Sequence, residues 1–250
     1  MSGNHIVPDF TRRIRERLRM KFDFYIETKE DLKRAVLTFG FVPLFKNSIP
    51  GFSVEEHVSP RVWFNDSAEG VWEWKGPVIR ECGCAYGKFF ENKAVFVSGD
   101  WFPDFANYRR NGYDFDARYD DGLASFRDKT LYELVEQNEP VLSKELKRIG
   151  RYGRDGRVGF ETIITRLQAQ CYVVIRDFVY ETDRAGKPYG WGVAQYATPE
   201  SALGEAFTRE IYRRKPEESH ERILTYLTAL LPDADEKTVK KLLRRKNAED

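Results

Sequence analysis

The sequence has few of the residues that build metal sites and disulfide frameworks. It contains three cysteines, Cys82, Cys84 and Cys171, and three histidines. An odd cysteine count argues against a disulfide framework and favours a reducing compartment, so we expect a cytoplasmic protein. Only Gly83 separates Cys82 from Cys84, which is too close for the common zinc knuckle. We therefore expect no metal and no cofactor, and interpret this tripeptide as part of a strand.

Long apolar runs and a strong net charge are also missing. No run approaches the ~18 residues needed to span a bilayer, and the N-terminus lacks the apolar segment of a secretory signal. We therefore expect neither export nor a membrane partner. The formal net charge is +1. An argument for nucleic-acid binding must then depend on how the charges are distributed.

Several short catalytic motifs are absent as well. The sequence contains no G-x-x-x-x-G-K-[ST], G-x-G-x-x-G, G-x-S-x-G or H-E-x-x-H. This argues against the common nucleotide-binding, hydrolase and metalloprotease classes in their standard forms.

The chain is instead rich in aromatic residues, which make up 14% of its 250 residues. A polar, acidic segment bounded by glycine, residues 111–122, is the natural domain boundary. We predict an aromatic-rich α+β part over residues 1–122, a second module over 123–200 and C-terminal helices over 201–250 that pack on the rest. The arginine-dense segment 11–21 is interpreted as a helix with a solvated face, or one that touches phosphate.

In the N-terminal part, apolar residues at helical spacing predict a helix over 31–39. Residues 40–51 are interrupted by two prolines and should form an irregular segment or a short strand. Alternating residues predict a β-rich stretch over 70–98, with a turn at residues 91–93. Residues 100–110 then return to helix.

The segment that follows has a more regular pattern. We predict helices over 130–138, capped by Asp128, and over 143–149 and 159–171. Two β-rich runs, 172–182 and 189–197, then enclose a polar turn. Three short helices followed by a hairpin is the order of a winged helix, so the predicted fold class is α+β with a winged-helix module in the C-terminal half.

The third helix of this module is the candidate DNA-recognition element, because such helices place their N-terminal residues at base edges. Its apolar face should leave Glu161, Thr162, Thr165, Arg166 and Ala169 outward. Five cations and one acid lie between Lys147 and Arg157, a net charge of 5 − 1 = +4, which suits phosphate contacts. The predicted DNA-binding residues are Arg148, Arg151, Arg154, Arg157, Thr162, Thr165, Arg166, Arg184 and Lys187.

Two alternatives come from the N-terminal part. Aromatic and polar residues there could line a pocket for a base or another small molecule. The pocket residues of this hypothesis are Trp72, Trp74, Tyr86, Lys88, Trp101 and Asp104. Asp114 and Asp116 in the acidic segment are weak candidates for a catalytic carboxylate. The competing interpretation is an aromatic core beside a solvated loop.

Two runs of the sequence resemble a known family. The run LSKELKRIGRYGRDGRVGFETIITRLQAQCYVVIRDF, with GWGVAQYATPE after it, is similar to the C-terminal winged helix of AlkZ/YcaQ-related DNA glycosylases. The upstream run VWEWKGPVIRECGCAYGKFFENKAVFVSGDWFPDF resembles uncharacterised winged-helix proteins of the same broad group. The resemblance covers about residues 30–200 and implies a winged-helix fold that associates with duplex DNA.

The resemblance also defines where catalytic residues should lie. Active members excise alkylated or crosslinked bases with a Gln-x-Gln or Gln-x-Asp motif in the N-terminal part of the fold. The matching position here is Phe41-Val42-Pro43, which contains no glutamine. Gln168-Ala169-Gln170 has the spacing, but it falls at the end of the third helix of the C-terminal module. The sequence therefore predicts a DNA-binding relative of repair glycosylases that lacks the standard motif. A ligand- or protein-binding module and a glycosylase with other catalytic residues remain the alternatives.

Overall fold

A computed structural model describes residues 22–64, 69–182, 184 and 188–245. They form an α+β protein with two three-stranded antiparallel sheets and helices towards the C-terminus, which confirms the predicted α+β class and the C-terminal helices. The helix predicted within residues 11–21 lies outside the described residues.

The N-terminal half is built around the first sheet. Its helices and strands are α1 (Lys29–Phe39), β1 (Phe41–Pro43), α2 (Pro60–Trp63), α3 (Val71–Cys82), β2 (Ala85–Phe90), β3 (Lys93–Val97), α4 (Phe102–Arg110) and α5 (Phe115–Asp120). Strand β3 lies between β1 and β2 and is antiparallel to both. The predicted helices at the start and end of this half and the turn before Lys93 are therefore confirmed.

The C-terminal half contains the second sheet and most of the longer helices. Its elements are α6 (Phe126–Asn138), β4 (Val141–Leu142), α7 (Ser143–Ile149), α8 (Phe160–Ala169), β5 (Val174–Thr182), β6 (Pro188–Ala197), α9 (Pro199–Glu210), α10 (Pro216–Leu230) and α11 (Glu236–Leu243). Strand β6 lies between β4 and β5. The three predicted helices and the predicted hairpin are all present, and the tip of the hairpin lies outside the described residues.

The prediction of a β-rich stretch from residue 70 is wrong over its first half, which is helix α3. Val71, Trp74 and Val78 are buried and also fit a 3.6-residue period, so tertiary packing selects the helix. The Glu73 carboxylate accepts a hydrogen bond from the Gly70 N–H at 2.9 Å and stabilises the first turn. A side chain at Gly76 would collide with the Asp177 carboxylate, so glycine permits α3 to approach β5 closely.

Three further sequence predictions need correction. Cys82 ends helix α3 and Gly83 follows in the left-handed region with φ of 55°, so the Cys-Gly-Cys tripeptide is a helix terminus. The acidic segment after Asn111 contains helix α5, because Asp114 caps it and Phe115 is buried. Helix α6 begins at Phe126 and not at residue 130, since its start is a capping box that was not recognised in the sequence.

One continuous apolar core joins the two halves. Its buried residues run from Phe22 in the N-terminal part to Leu243 in α11 and include both sheets. Aromatic rings supply much of it: Phe41, Phe90 and Phe105 pack within 6.2 Å of one another between ring centroids. The predicted parts 1–122, 123–200 and 201–250 all contribute buried residues to this one core. Their boundaries stay a prediction.

Arg110 at the end of α4 connects three elements inside the protein. Its guanidinium is 2% exposed and donates to the Cys171 carbonyl at 2.8 and 3.1 Å and to the Glu200 carboxylate at 2.6 Å. It also lies over the Tyr172 ring and bonds the Tyr212 hydroxyl. Burial alone would lower the pKa of Arg110, but the charge and hydrogen bond of Glu200 outweigh it and hold the pKa above its usual value.

Replacing Arg110 with methionine should therefore lower the free energy of unfolding by about 3 kcal/mol, because the buried Cys171 carbonyl and the Glu200 carboxylate lose their donor. Urea denaturation would measure the change. Arg213→Met is the matched control, since Arg213 forms only an exposed pair with Glu210 and should change stability by no more than about 0.5 kcal/mol. Equal losses in the two variants would contradict the role of Arg110.

Candidate nucleic-acid interface

Within the described residues, a group of exposed arginines lies at the end of α7 and on its connection to α8. Arg148, Arg151, Arg154 and Arg157 are all exposed. The connection is a defined turn, because the Arg157 N–H donates to the Arg151 carbonyl at 2.8 Å and the Gly153 N–H donates to the Arg157 carbonyl at 3.2 Å. Four cations are thus held on a short, structured turn, which we call the arginine turn (residues 148–157).

Helix α8 follows the arginine turn and is exposed mainly at its beginning. Phe160, Ile163, Ile164 and Leu167 are buried, as predicted, while Glu161 and Thr162 are exposed. Lys147 pairs with Glu161 at 2.7 Å. Only this first turn of α8 projects beside the arginine turn.

The later part of α8 is engaged with the rest of the protein. The Thr165 hydroxyl accepts a hydrogen bond from Lys88 Nζ at 3.2 Å. Arg166 donates to the buried Asp128 carboxylate at 2.6 and 3.0 Å, and its side chain is 18% exposed. Ala169 is buried, so the prediction that it faces outward is wrong. These contacts give Thr165 and Arg166 structural partners that the sequence pattern did not reveal.

The hairpin carries the two remaining predicted DNA-binding residues. Arg184 lies at its end and is exposed, whereas Lys187 lies outside the described residues. Trp191 on β6 is 75% exposed.

Two shallow clefts flank the end of the arginine turn, and they share Tyr152, Arg157 and Val158. The first has a volume of about 370 Å³ and the second of about 380 Å³. Besides the shared residues, the first cleft is lined by Phe126, Arg127, Thr130, Gly156 and Ile163. Phe126 and Arg127 were missed in the sequence because helix α6 was expected to begin after them. The Ser125-x-x-Asp128 capping box is the signal that could have found them.

The six residues predicted to form an aromatic pocket are divided between separate environments. Trp101 stacks on Tyr226 of α10 with ring centroids 4.3 Å apart. Asp104 is buried and accepts hydrogen bonds from Ser219 at 2.8 Å and Arg222 at 3.0 Å. These two residues therefore bind the C-terminal helices to α4.

Of the other four members of that group, Trp72 and Tyr86 contact the hairpin and Lys88 contacts α8. Trp74 and Tyr86 are buried, and the Tyr86 ring packs edge-on against Phe178 at 5.7 Å. Trp72 packs edge-on against Trp191 at 5.5 Å, and Lys88 reaches α8 as described. The six predicted residues therefore pack in two different places, near α10 and near the hairpin and α8, and do not line one shared pocket.

Lys75 occupies a site among these rings that the sequence did not suggest. Its ammonium nitrogen lies 4.4 Å from the centroid of Trp72 and 4.2 Å from that of Phe178. Burial lowers the pKa of Lys75 to about 8, although the charge of Glu73 opposes the shift. The two aromatic faces stabilise the charged form only in part.

The carboxylates proposed for catalysis have ordinary structural surroundings. Asp114 caps helix α5 by accepting a hydrogen bond from the Ala117 N–H at 2.8 Å. Asp116 is exposed in the first turn of the same helix, where an acidic residue interacts favourably with the helix dipole. Among the described residues, no group of three or more metal-ligating side chains lies close enough to hold an ion.

The glutamine pair of α8 is buried. Gln168 donates to the Ile164 carbonyl at 3.1 Å and accepts from the Lys88 N–H at 3.2 Å, which joins α8 to β2. Gln170 is 4% exposed. Phe41-Val42-Pro43, the position matched to the glycosylase motif, forms strand β1, and Phe41 and Val42 are fully buried.

The structure thus defines an α+β protein with an arginine-rich turn and a hairpin beside one exposed helix end. No helix in the described part of the chain has the length and apolar character to cross a membrane. The family model described as AlkZ related matches residues 26–244, and the chain belongs to this family. Membership relates it to glycosylase-like proteins of DNA repair. No curated protein and no solved structure matches the chain.

Lys75 generates a pH-dependent prediction. Because its folded pKa of about 8 lies below the ordinary 10.5, the unfolded chain binds more protons between these values. Stability linked to Lys75 should therefore rise between pH 8 and 10.5 and be lost as the pH falls through about 8, by about 3 kcal/mol in all. The Lys75→Met variant lacks this contribution. Between pH 8 and 10.5 the unfolding free energy of the wild type should therefore rise by about 3 kcal/mol relative to that of the variant. A difference that is independent of pH from 7 to 10.5 would contradict the lowered pKa.

Proposed function

We propose that this chain is a DNA-binding protein whose residues 123–200 form a winged-helix module, and that it acts in the repair or recognition of damaged DNA. The observation that carries the proposal is the arginine turn, which holds four exposed cations beside the exposed first turn of α8. Its net charge of 4 − 1 = +3 contrasts with the nearly neutral whole chain, so phosphate would be attracted to this place in particular.

The order and pairing of the elements support a winged helix. Helices α6, α7 and α8 precede the β5–β6 hairpin, and the short strand β4 between α6 and α7 pairs with β6. In such modules the third helix enters the major groove with its N-terminal residues at base edges. Thr162 is the exposed residue of α8 suited to that contact, and Arg184 on the hairpin suits an adjacent phosphate. AlkZ-related membership agrees with this function.

We further propose that the chain does not excise bases by the standard mechanism of its relatives. Excision develops positive charge on the sugar and needs a placed polar group to stabilise it and to orient water. The motif position forms the buried strand β1, and the side chain of Gln168 already bonds two backbone groups.

Phosphate contacts by the arginine turn and hairpin generate the first test. Replacing Arg154, Arg157 and Lys187 with alanine should weaken duplex binding across all sequences and reduce the salt dependence by roughly 0.9 in log–log slope for each lost contact. Fluorescence anisotropy over a range of salt concentrations measures both. The control is Arg213→Ala, which removes an exposed arginine three residues after the end of α9. It should change neither the affinity nor its salt dependence. The proposal fails if the wild type binds no duplex at ~50 mM salt, where such contacts are strongest.

The catalytic proposal has its own test. Purified protein incubated with duplexes that carry alkylated purines or an interstrand crosslink should produce no abasic sites above a no-enzyme control. Turnover that disappears in Asp116→Asn would overturn the proposal and make the acidic segment an active site. Turnover that disappears only in Gln168→Ala or Gln170→Ala would show that the glutamine pair is catalytic, provided that the variant still unfolds cooperatively.

A further inference from the structure

Two large apolar side chains are unusually exposed beside the arginine turn. Phe126 is 70% exposed and Val158 is 68% exposed. Both line the first cleft, together with Arg127 and Arg157. Arg127 follows Phe126 in the sequence and Arg157 precedes Val158, so each apolar residue has an arginine next to it in the same cleft. We call this arrangement the Phe126 cleft.

The walls of the Phe126 cleft are fixed by contacts inside the protein. Phe126 is the first residue of α6, where the Ser125 cap and the bond from the Thr130 hydroxyl to the Phe126 carbonyl at 2.9 Å hold the backbone. The buried pair between Asp128 and Arg166 ties α6 to α8. The backbone that carries Phe126 is thus ordered before a ligand binds, so binding has to fix only the torsions of the ring.

The exposed ring adds nothing to folding, since it stays in contact with water. Covering it with an apolar or aromatic group would remove apolar surface from water, which favours binding. The neighbouring arginines indicate the chemistry of that group, because a ligand that fills the cleft must bring negative charge close to Arg127 and Arg157. A nucleobase has a flat apolar face and is joined to a phosphate on either side, and aromatic side chains bind it by stacking.

The size of the cleft agrees with this ligand. Its volume of about 370 Å³ lies at the lower end of the range of small-molecule sites. In an intact duplex each base is stacked between its neighbours, so the Phe126 ring can reach a base face only where a base is unpaired or displaced. An apolar side chain between arginines is also the arrangement by which proteins wedge into a distorted duplex.

We propose that the Phe126 cleft binds an unpaired nucleobase of duplex DNA, with Phe126 and Val158 against the base and Arg127 and Arg157 on the flanking phosphates. This inference rests on the proposed DNA-binding function and deepens it, because it assigns distorted duplexes as the preferred ligand. The arginine turn attracts the phosphates of any DNA sequence. The Phe126 cleft binds a base that has left the stack and not one that is still stacked.

The test compares two labelled duplexes that differ by one unpaired adenine, with affinities measured by fluorescence anisotropy. The wild type should bind the bulged duplex more tightly by about 5- to 150-fold, the range for stacking of one base on an aromatic ring. Phe126→Ala should remove this preference and leave affinity for the intact duplex unchanged, whereas Phe126→Trp should retain it. The matched control is Phe64→Ala, which removes an equally exposed ring (69%) from the end of α2 and should keep the preference.

Other outcomes separate the two proposals. Equal affinity of the wild type for the two duplexes overturns the base-binding cleft and leaves DNA binding intact. Phe126→Ala that weakens both complexes by the same factor also overturns it, because the ring would then contact the duplex backbone only. Absence of binding to either duplex at low salt removes the proposed function itself. Loss of the preference in Phe64→Ala but not in Phe126→Ala would overturn the inference, because it would place the base at Phe64, beside Trp72, and not in the Phe126 cleft.

Discussion

The buried guanidinium of Arg110 is the constraint on which the arrangement of this protein depends. It bonds the carbonyl of Cys171, directly after α8, and the carboxylate of Glu200 in the first turn of α9. An arginine can do this because its planar group carries five donors in fixed directions, whereas lysine offers one charged point. Since Cys171 has φ of 64°, its carbonyl is turned out of the helix and would lack a donor without Arg110. The end of α8 is therefore fixed relative to α4, and with it the helix start beside the arginine turn.

A second buried arginine acts in the same way on the other side of α4. Arg109 donates to the Phe89 carbonyl at 2.9 Å and to the Arg244 carbonyl at 3.0 Å, so it joins β2 to the end of α11. Burial lowers the pKa of Arg109, because the backbone carbonyls that it bonds are neutral and do not offset the cost of removing its charge from water. Adjacent arginines on one helix thus fix two different parts of the chain. This explains how a single core can include both sheets and the C-terminal helices.

The sequence predicted the C-terminal half well because its signals are local. Phe160, Ile163, Ile164 and Leu167 follow one helical period, and the β-rich runs after residue 172 are separated by a polar turn. Helix α3 was missed because tryptophan, valine and Pro77 favour strand or loop locally, and only packing on β5 selects the helix. The capping box from Ser125 to Asp128 and the contact of Glu73 with the Gly70 N–H carry the missing information in four residues each. Contacts between distant positions, such as Lys88 with Thr165 and Arg166 with Asp128, have no periodic signal and could not be predicted.

These long-range contacts also determine which part of the candidate interface is free. A helix that reads DNA must project from its module, yet Lys88 of β2 bonds both Thr165 and Gln168 on the same side of α8. That side is closed by the N-terminal half, so the part of α8 left open to the proposed duplex is its first turn, where the arginine turn and the Phe126 cleft also lie. An aromatic ring and several arginines near one helix end suit a short contact with a distorted site better than a long contact along a groove. The N-terminal half therefore does more than complete the core, because its packing against α8 limits the part of that helix that stays exposed.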